Sequence, residues 1–109
     1  MLLSVNQDQS HSIISVDGEV DLSTSDQLDA AIIQSLTAGT SHLTVDLSKV
    51  AFLDSSGLGV IVKGLKRAKD SDVEFDVVIE NERVLKVFKL TGLDSVINIF
   101  PTLSAATGV

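Results

Sequence analysis

Apolar residues fall in short, regularly spaced groups along this chain. Leu2, Leu3 and Val5 precede the polar run Gln7-Asp8-Gln9-Ser10, and Ile13, Ile14 and Val16 follow it. Two apolar stretches across a polar turn predict a hairpin, with Asp17-Gly18 ending its second strand. Leu28, Ala31, Ile32 and Leu36 then recur at i, i+3, i+4 and i+8, the spacing of one helical face. Thr24 and Gln27 have capping-box spacing, Asp26 suits the first turn, and Gly39 supplies a stop. Leu43, Val45 and Leu47 alternate with Thr44 and Asp46, which predicts a strand.

Residues 48–56, SKVAFLDSS, read as a connection that buries Val50, Phe52 and Leu53. From Gly57 a second helix carries Leu58, Ile61, Val62 and Leu65 as its apolar stripe. Lys63, Lys66, Arg67 and Lys69 crowd its later turns, where positive charge suits the dipole, and read as a solvated face. Val73 to Ile79 is β-branched and predicts a buried strand. Asn81 can cap a third helix that turns Val84, Leu85 and Phe88 inward and stops at Thr91-Gly92-Leu93. Val96, Ile97, Ile99 and Phe100 give a last strand, and Thr102 after Pro101 can cap a terminal helix. The order is ββαβαβαβα. It predicts an α/β fold, a mixed four- to five-stranded sheet with packed helices, filling residues 1–109 as one domain.

Composition narrows the function. A hydrophobic share of 44% supports a real core, and a charged share of 21% argues against disorder. The chain has no Cys, so disulfides, thiol catalysis and zinc–thiolate sites drop out together. The only aromatics are four Phe, which leaves no base-stacking platform. A net charge of −7 provides no basic stripe for nucleic acid. No apolar run approaches the roughly 18 residues of a membrane span. Met1-Leu2-Leu3 runs straight into polar Ser4 and Asn6, so no secretory signal is expected and the expected compartment is the cytoplasm.

The charge is also lopsided. Asp8, Asp17, Glu19, Asp21, Asp26, Asp29 and Asp46 lie in residues 1–48, which hold no Lys or Arg, while the remainder is neutral overall. Such a split suggests that one side of the domain faces a basic partner.

The informative segment is Phe52-Leu53-Asp54-Ser55-Ser56-Gly57-Leu58-Gly59, at the start of the second helix. Helix starts offer free N–H groups and partial positive charge, so Asp54 or Ser55 can simply be a cap. Two glycines in the first turns cost a helix about 1 kcal/mol each, which implies that the backbone must come close to something. Close packing of helix on sheet is one explanation.

Three chemical readings compete with it. A dinucleotide fingerprint fits poorly, because Val62 stands where the third small residue belongs and Glu74 and Asp76 lie inside a strand. A hydrolase elbow is absent, since Leu53 or Asp54 occupies the first Gly position, and His11 and His42 read as surface residues. A phosphoacceptor fits better: a small hydroxyl at an exposed helix start, beside glycines that admit another protein's active site. A phosphate there would add about −1.5 to −2 charges.

Asp54-Ser55-Ser56-Gly57-Leu58-Gly59-Val60-Ile61, preceded by Val45-Asp46-Leu47 and Phe52-Leu53, resembles the signature of the STAS domain, and more narrowly of bacterial anti-sigma-factor antagonists. Gly18-Glu19-Val20-Asp21 and Leu90-Thr91-Gly92-Leu93 resemble two further segments of that family, in the right order. The resemblance implies a STAS fold and a partner switch with no enzymatic activity and no cofactor. The unphosphorylated form would bind an anti-sigma factor, a serine kinase that uses ATP, and so free a sigma factor. Phosphorylation would end the binding, and a metal-dependent PP2C-type phosphatase would reverse it.

The resemblance places the acceptor at Ser56, with Ser55 a lesser candidate. It implies partner contacts at Asp21, Ser23, Thr24, Asp54, Ser55, Gly57, Leu58 and Gly59. Asp54 would also cap the helix. The alternative within the same resemblance is a soluble STAS subunit of an ABC-type transport system for lipids or other solutes.

Overall fold

The computed structural model describes residues 1–108. Strands β1 (Leu2–Asp8), β2 (His11–Val20), β3 (His42–Leu53), β4 (Glu74–Val78) and β5 (Asn98–Phe100) form one sheet in the order β1-β2-β3-β4-β5. β1 and β2 pair as an antiparallel hairpin around Gln9-Ser10, and the other pairings are parallel. Helices α1 (Ser25–Thr37), α2 (Ser55–Asp70) and α3 (Glu82–Leu90) follow successive strands, and a short α4 (Leu103–Thr107) ends the fold. No helix among the described residues is long and apolar enough to cross a membrane.

The core lies on one face of the sheet, built by strand alternation. Ile14 and Val16 of β2, Leu43, Val45 and Leu47 of β3 and Phe75 and Val77 of β4 are buried with Leu28 and Ile32 of α1 and Val60 and Ile61 of α2. Phe88 of α3 is fully buried among them. The caps at Asn81 and Thr102 form as their sequence predicts: Asn81 Oδ1 accepts from the N–H groups of Arg83 and Val84, and Thr102 Oγ1 from that of Ala105. Gly92, at φ 78°, closes the segment after α3 in the left-handed conformation.

Several expectations are corrected. Residues 48–53 are no connection but the second half of β3, and Phe52 is 49% exposed although Val50 and Leu53 are buried. β2 does not end at Asp17-Gly18. It continues to Val20 through a register shift at Gly18, whose φ of 118° few other residues adopt. The stripe of α2 consists of Gly57, Val60, Ile61, Gly64 and Ala68, while Val62 is 41% exposed and Leu58 and Leu65 are half-buried. Gly64 belongs to that stripe because a Cβ would lie 3.2 Å from Ile32 Cδ1 and 3.3 Å from the Phe75 ring. The last strand begins at Asn98. Val96 is exposed, and Leu93–Ser95 form a 3-10 turn ahead of it.

The anticipated Thr24–Gln27 capping box does not form. The Thr24 hydroxyl is held elsewhere, by the loop described next.

Candidate functional site

Strands β2 and β3 end level with one another, Val20 opposite Leu53. The next residues, Asp21 and Asp54, therefore emerge side by side at the carboxyl edge of the sheet. In open α/β sheets this edge is where ligands and partners are met. Asp54 N–H donates to Val20 O at 3.1 Å, which ties the two loops together.

Asp54 caps α2. Its Oδ1 accepts from Ser56 N–H at 2.9 Å, from Gly57 N–H at 3.1 Å and from the Ser56 hydroxyl at 2.5 Å. The Ser56 hydroxyl, then the Gly57 amide, hold the Asp54 carboxyl below the ordinary Asp range, against an upward push from Asp21. Ser56 is half-buried and oriented by this bond; Ser55 is exposed and has no such anchor among the described residues.

Asp21 organises the facing loop in the same manner. Its Oδ1 accepts from Ser23 N–H at 3.0 Å and from the Ser23 hydroxyl at 2.7 Å. The Ser23 hydroxyl is the main cause that keeps the Asp21 carboxyl low. Thr24 Oγ1 accepts from Asp21 N–H at 2.9 Å and donates to Glu19 O at 3.0 Å, so a tertiary loop uses the hydroxyl that the sequence assigns to a capping box. Leu22 stands 81% exposed between them.

The two glycines separate in role. A Cβ on Gly57 would lie 2.8 Å from Val20 Cγ1, 2.9 Å from Leu53 Cδ1 and 3.1 Å from Val20 O. Gly57 is thus required by the domain's own packing. A Cβ on Gly59 would meet nothing within 4 Å among the described residues. Nothing in the fold demands a glycine there, and the half-buried Gly59 and Leu58 leave a low rim beside Ser56.

The structure thus brings the Asp21, Ser23 and Thr24 loop beside the start of α2, where Asp54, Ser55, Ser56, Gly57, Leu58 and Gly59 follow in sequence, as one candidate site. The sequence did not reveal that Phe52 and Leu22 stand exposed near the strand ends and add apolar surface to this edge.

A family model for the STAS domain matches residues 3–106. The chain belongs to the STAS domain family. This STAS domain is 30% identical over 86 residues to the anti-sigma-B factor antagonist of Staphylococcus epidermidis, covering 79% of this chain and 80% of the relative. An anti-sigma factor antagonist from Mycobacterium paratuberculosis superposes with a TM-score of 0.91 at 31% identity, over 98% of this chain and 91% of that one. The Bacillus cell fate determinant SpoIIAA, known in unphosphorylated and phosphorylated forms, superposes with TM-scores of 0.81 and 0.78. At 18% identity, over 97% or more of each chain, it shows the shared fold. The α/β architecture and the resemblance to anti-sigma factor antagonists expected from the sequence both hold for this STAS domain.

Proposed function

We propose that this STAS domain is a phosphorylation-controlled antagonist of an anti-sigma factor, with Ser56 as the acceptor. The observation that carries the reading is the Ser56 hydroxyl held at 2.5 Å by Asp54 at the start of α2, beside an open Gly59. In its unphosphorylated form the domain binds an anti-sigma serine kinase through the Asp21–Thr24 loop and the start of α2, and a sigma factor is released. In the transfer step the Ser56 oxygen forms a bond to the γ-phosphorus of ATP. The bond to the bridging oxygen breaks, ADP leaves, and the hydroxyl proton passes to a base or to water.

Asp54 orients rather than activates. A carboxyl held below its ordinary range is a weak base, and phosphoryl transfer asks mainly for positioning. The domain itself tolerates the phosphate, because the positive end of the α2 dipole favours an anion. A PP2C-type phosphatase resets the cycle.

The test is intact mass after incubation with the cognate anti-sigma kinase and ATP. One added phosphate, lost in Ser56→Ala and kept in Ser55→Ala, is the expected result. Addition that survives Ser56→Ala moves the acceptor to Ser55. A chain that takes no phosphate and instead purifies with an ABC-type ATPase is a transport subunit.

The charge split bears on how the partner arrives. Glu19, Asp21 and Asp26 lie in or beside the partner loop, and Asp54 joins them across the strand ends. Asp29 is withdrawn from that field by Arg67, whose Nη1 is 2.6 Å from its Oδ1. Arg67 is accordingly not part of a merely solvated basic face. A basic partner steered by these acids should associate more slowly as salt rises from low to physiological strength, by roughly tenfold or more. Stopped-flow association measured against salt checks this, and a flat profile removes the steering role.

A further inference from the structure

The opposite end of the sheet holds a second cluster of chemistry-bearing side chains. Register places His11, His42 and Glu74 in one row across β2, β3 and β4, and Ile13, Thr44 and Asp76 in another. Asp76 is 1% exposed. Its Oδ1 accepts from the Thr44 hydroxyl at 2.6 Å, and its Oδ2 lies 2.6 Å from His42 Nε2. Ionised, Asp76 can only accept, so His42 Nε2 carries a proton. Thr44 gives its single hydroxyl proton to Asp76, so it accepts from His11 Nε2 at 2.8 Å. Both imidazoles, stacked 3.9 Å apart and within 7° of parallel, therefore commit Nε2–H to this network. In each neutral ring Nδ1 is the nitrogen with the free lone pair.

His42 Nδ1 lies 4.0 Å from Glu74 Oε2. That gap is too long for a hydrogen bond, and with a neutral His42 it sets two electron-pair donors facing each other, an arrangement that a cation between them completes. Zinc with bonds of about 2.0–2.1 Å in tetrahedral geometry sets two ligand atoms about 3.4 Å apart. Glu74 is exposed, so a small side-chain rotation closes the difference. One ligand atom from each of His42, Glu74 and Asp76 lies within 4.8 Å of the other two. Among the described residues neither Glu74 nor Asp76 is paired with a Lys or Arg.

We propose that His42 Nδ1 and the Glu74 carboxylate form the protein side of a zinc-class divalent cation site, with Asp76 as the positioning carboxylate behind His42. A metal-binding histidine normally donates its other N–H to such a carboxylate, which fixes the tautomer and strengthens the ligand. Imidazole selects zinc over magnesium, which prefers oxygen. Water fills the remaining positions. The ion clips the amino ends of β3 and β4 together, far along the sheet from Ser56, and this site stands or falls independently of the phosphorylation reading.

The experiment is calorimetric titration of zinc chloride into the untagged, chelator-stripped chain near pH 7. Nitrogen-15 spectra of the histidine side chains follow the same titration. Saturation at one ion per chain is expected, with His42 Nδ1 shifted and its Nε2 still protonated. Glu74→Gln, a surface change of the same shape, should weaken zinc at least tenfold, as should His42→Ala. Magnesium chloride should not compete. Failure to saturate, undiminished binding in Glu74→Gln, or ligation through His42 Nε2 overturns the proposal. So does a melting temperature that rises on acidification with no response to zinc, since a proton would then fill the gap.

Discussion

Phosphorylated on Ser56, this domain should bind its anti-sigma partner about 100-fold more weakly than the unmodified chain, a loss of about 3 kcal/mol. The change is local. Asp54 Oδ1 now accepts the Ser56 hydroxyl at 2.5 Å, so the exposed edge presents a neutral oxygen with its proton directed inward. A phosphate removes that donor and sets about two negative charges beside Asp54, with Asp21 across the strand ends. Buried against a partner, the anion must shed water among groups of its own sign, a cost of several kcal/mol. The α2 amides of Ser56 and Gly57 stay bonded to Asp54 Oδ1, so the cap is kept and the domain itself keeps its fold. Calorimetry on both forms checks the binding, and circular dichroism checks the fold. Ser56→Asp should fall between them, because it adds one charge and lacks the tetrahedral oxygens. Equal affinity of the two forms would end the switch reading.

Substitutions at the first two glycines of α2, Gly57 and Gly59, should move stability in opposite directions. Gly57→Ala inserts a methyl group 2.8 Å from Val20 Cγ1 and 2.9 Å from Leu53 Cδ1. Val20 is wholly buried and Leu53 nearly so, and Val20 O at 3.1 Å is backbone, so neither neighbour yields freely. Overpacking of this kind costs about 1–3 kcal/mol, against a helix gain of up to about 1 kcal/mol. A fall in melting temperature of roughly 4–8 °C per kcal/mol lost should follow. Because Val20 leads directly into Asp21, the partner loop should shift as well. Gly59→Ala meets no atom within 4 Å and should stabilise the free domain by up to about 1 kcal/mol. Under the proposed docking it should weaken partner binding, since the methyl group projects where the partner approaches. Thermal unfolding together with binding separates the two effects. A neutral Gly57→Ala would show that the Val20–Leu53 wall is softer than its packing indicates.

What could be read from the sequence follows how local each feature is. Asp54, Asn81 and Thr102 are legible as caps because each bonds amides two or three residues ahead. Thr24 looks like a cap by the same rule, yet its hydroxyl answers to Asp21 and Glu19 in the preceding loop. The far half of β3 was hidden because its pairing is with the end of β2, more than thirty residues away in sequence. Gly18 resembles a strand terminator and is a bulge inside one. The candidate loop at residues 54–59 stands out through its residue types. Its neighbourhood with Asp21, and the network of His11, His42, Thr44 and Asp76, depend on strand register, which no local pattern carries.

That register has a further consequence. His11 pairs with His42 and Ser15 with Asp46, but after two shifts Val20 pairs with Leu53, so β3 spends two more residues than β2 on the same span. Those surplus residues decide which amino acid leaves the sheet opposite Asp21. Were the same residues paired without the two shifts, Phe52 would stand opposite Asp21. A chain of this family that kept these residues but lost one shift would move the Asp54 loop by about 3.3 Å along β2 and turn its side chains to the other face. Such a chain would still spell the whole Asp-Ser-Ser-Gly motif. Register between β2 and β3, beyond the motif, therefore decides whether Asp21 and Asp54 of a relative can meet as they do here.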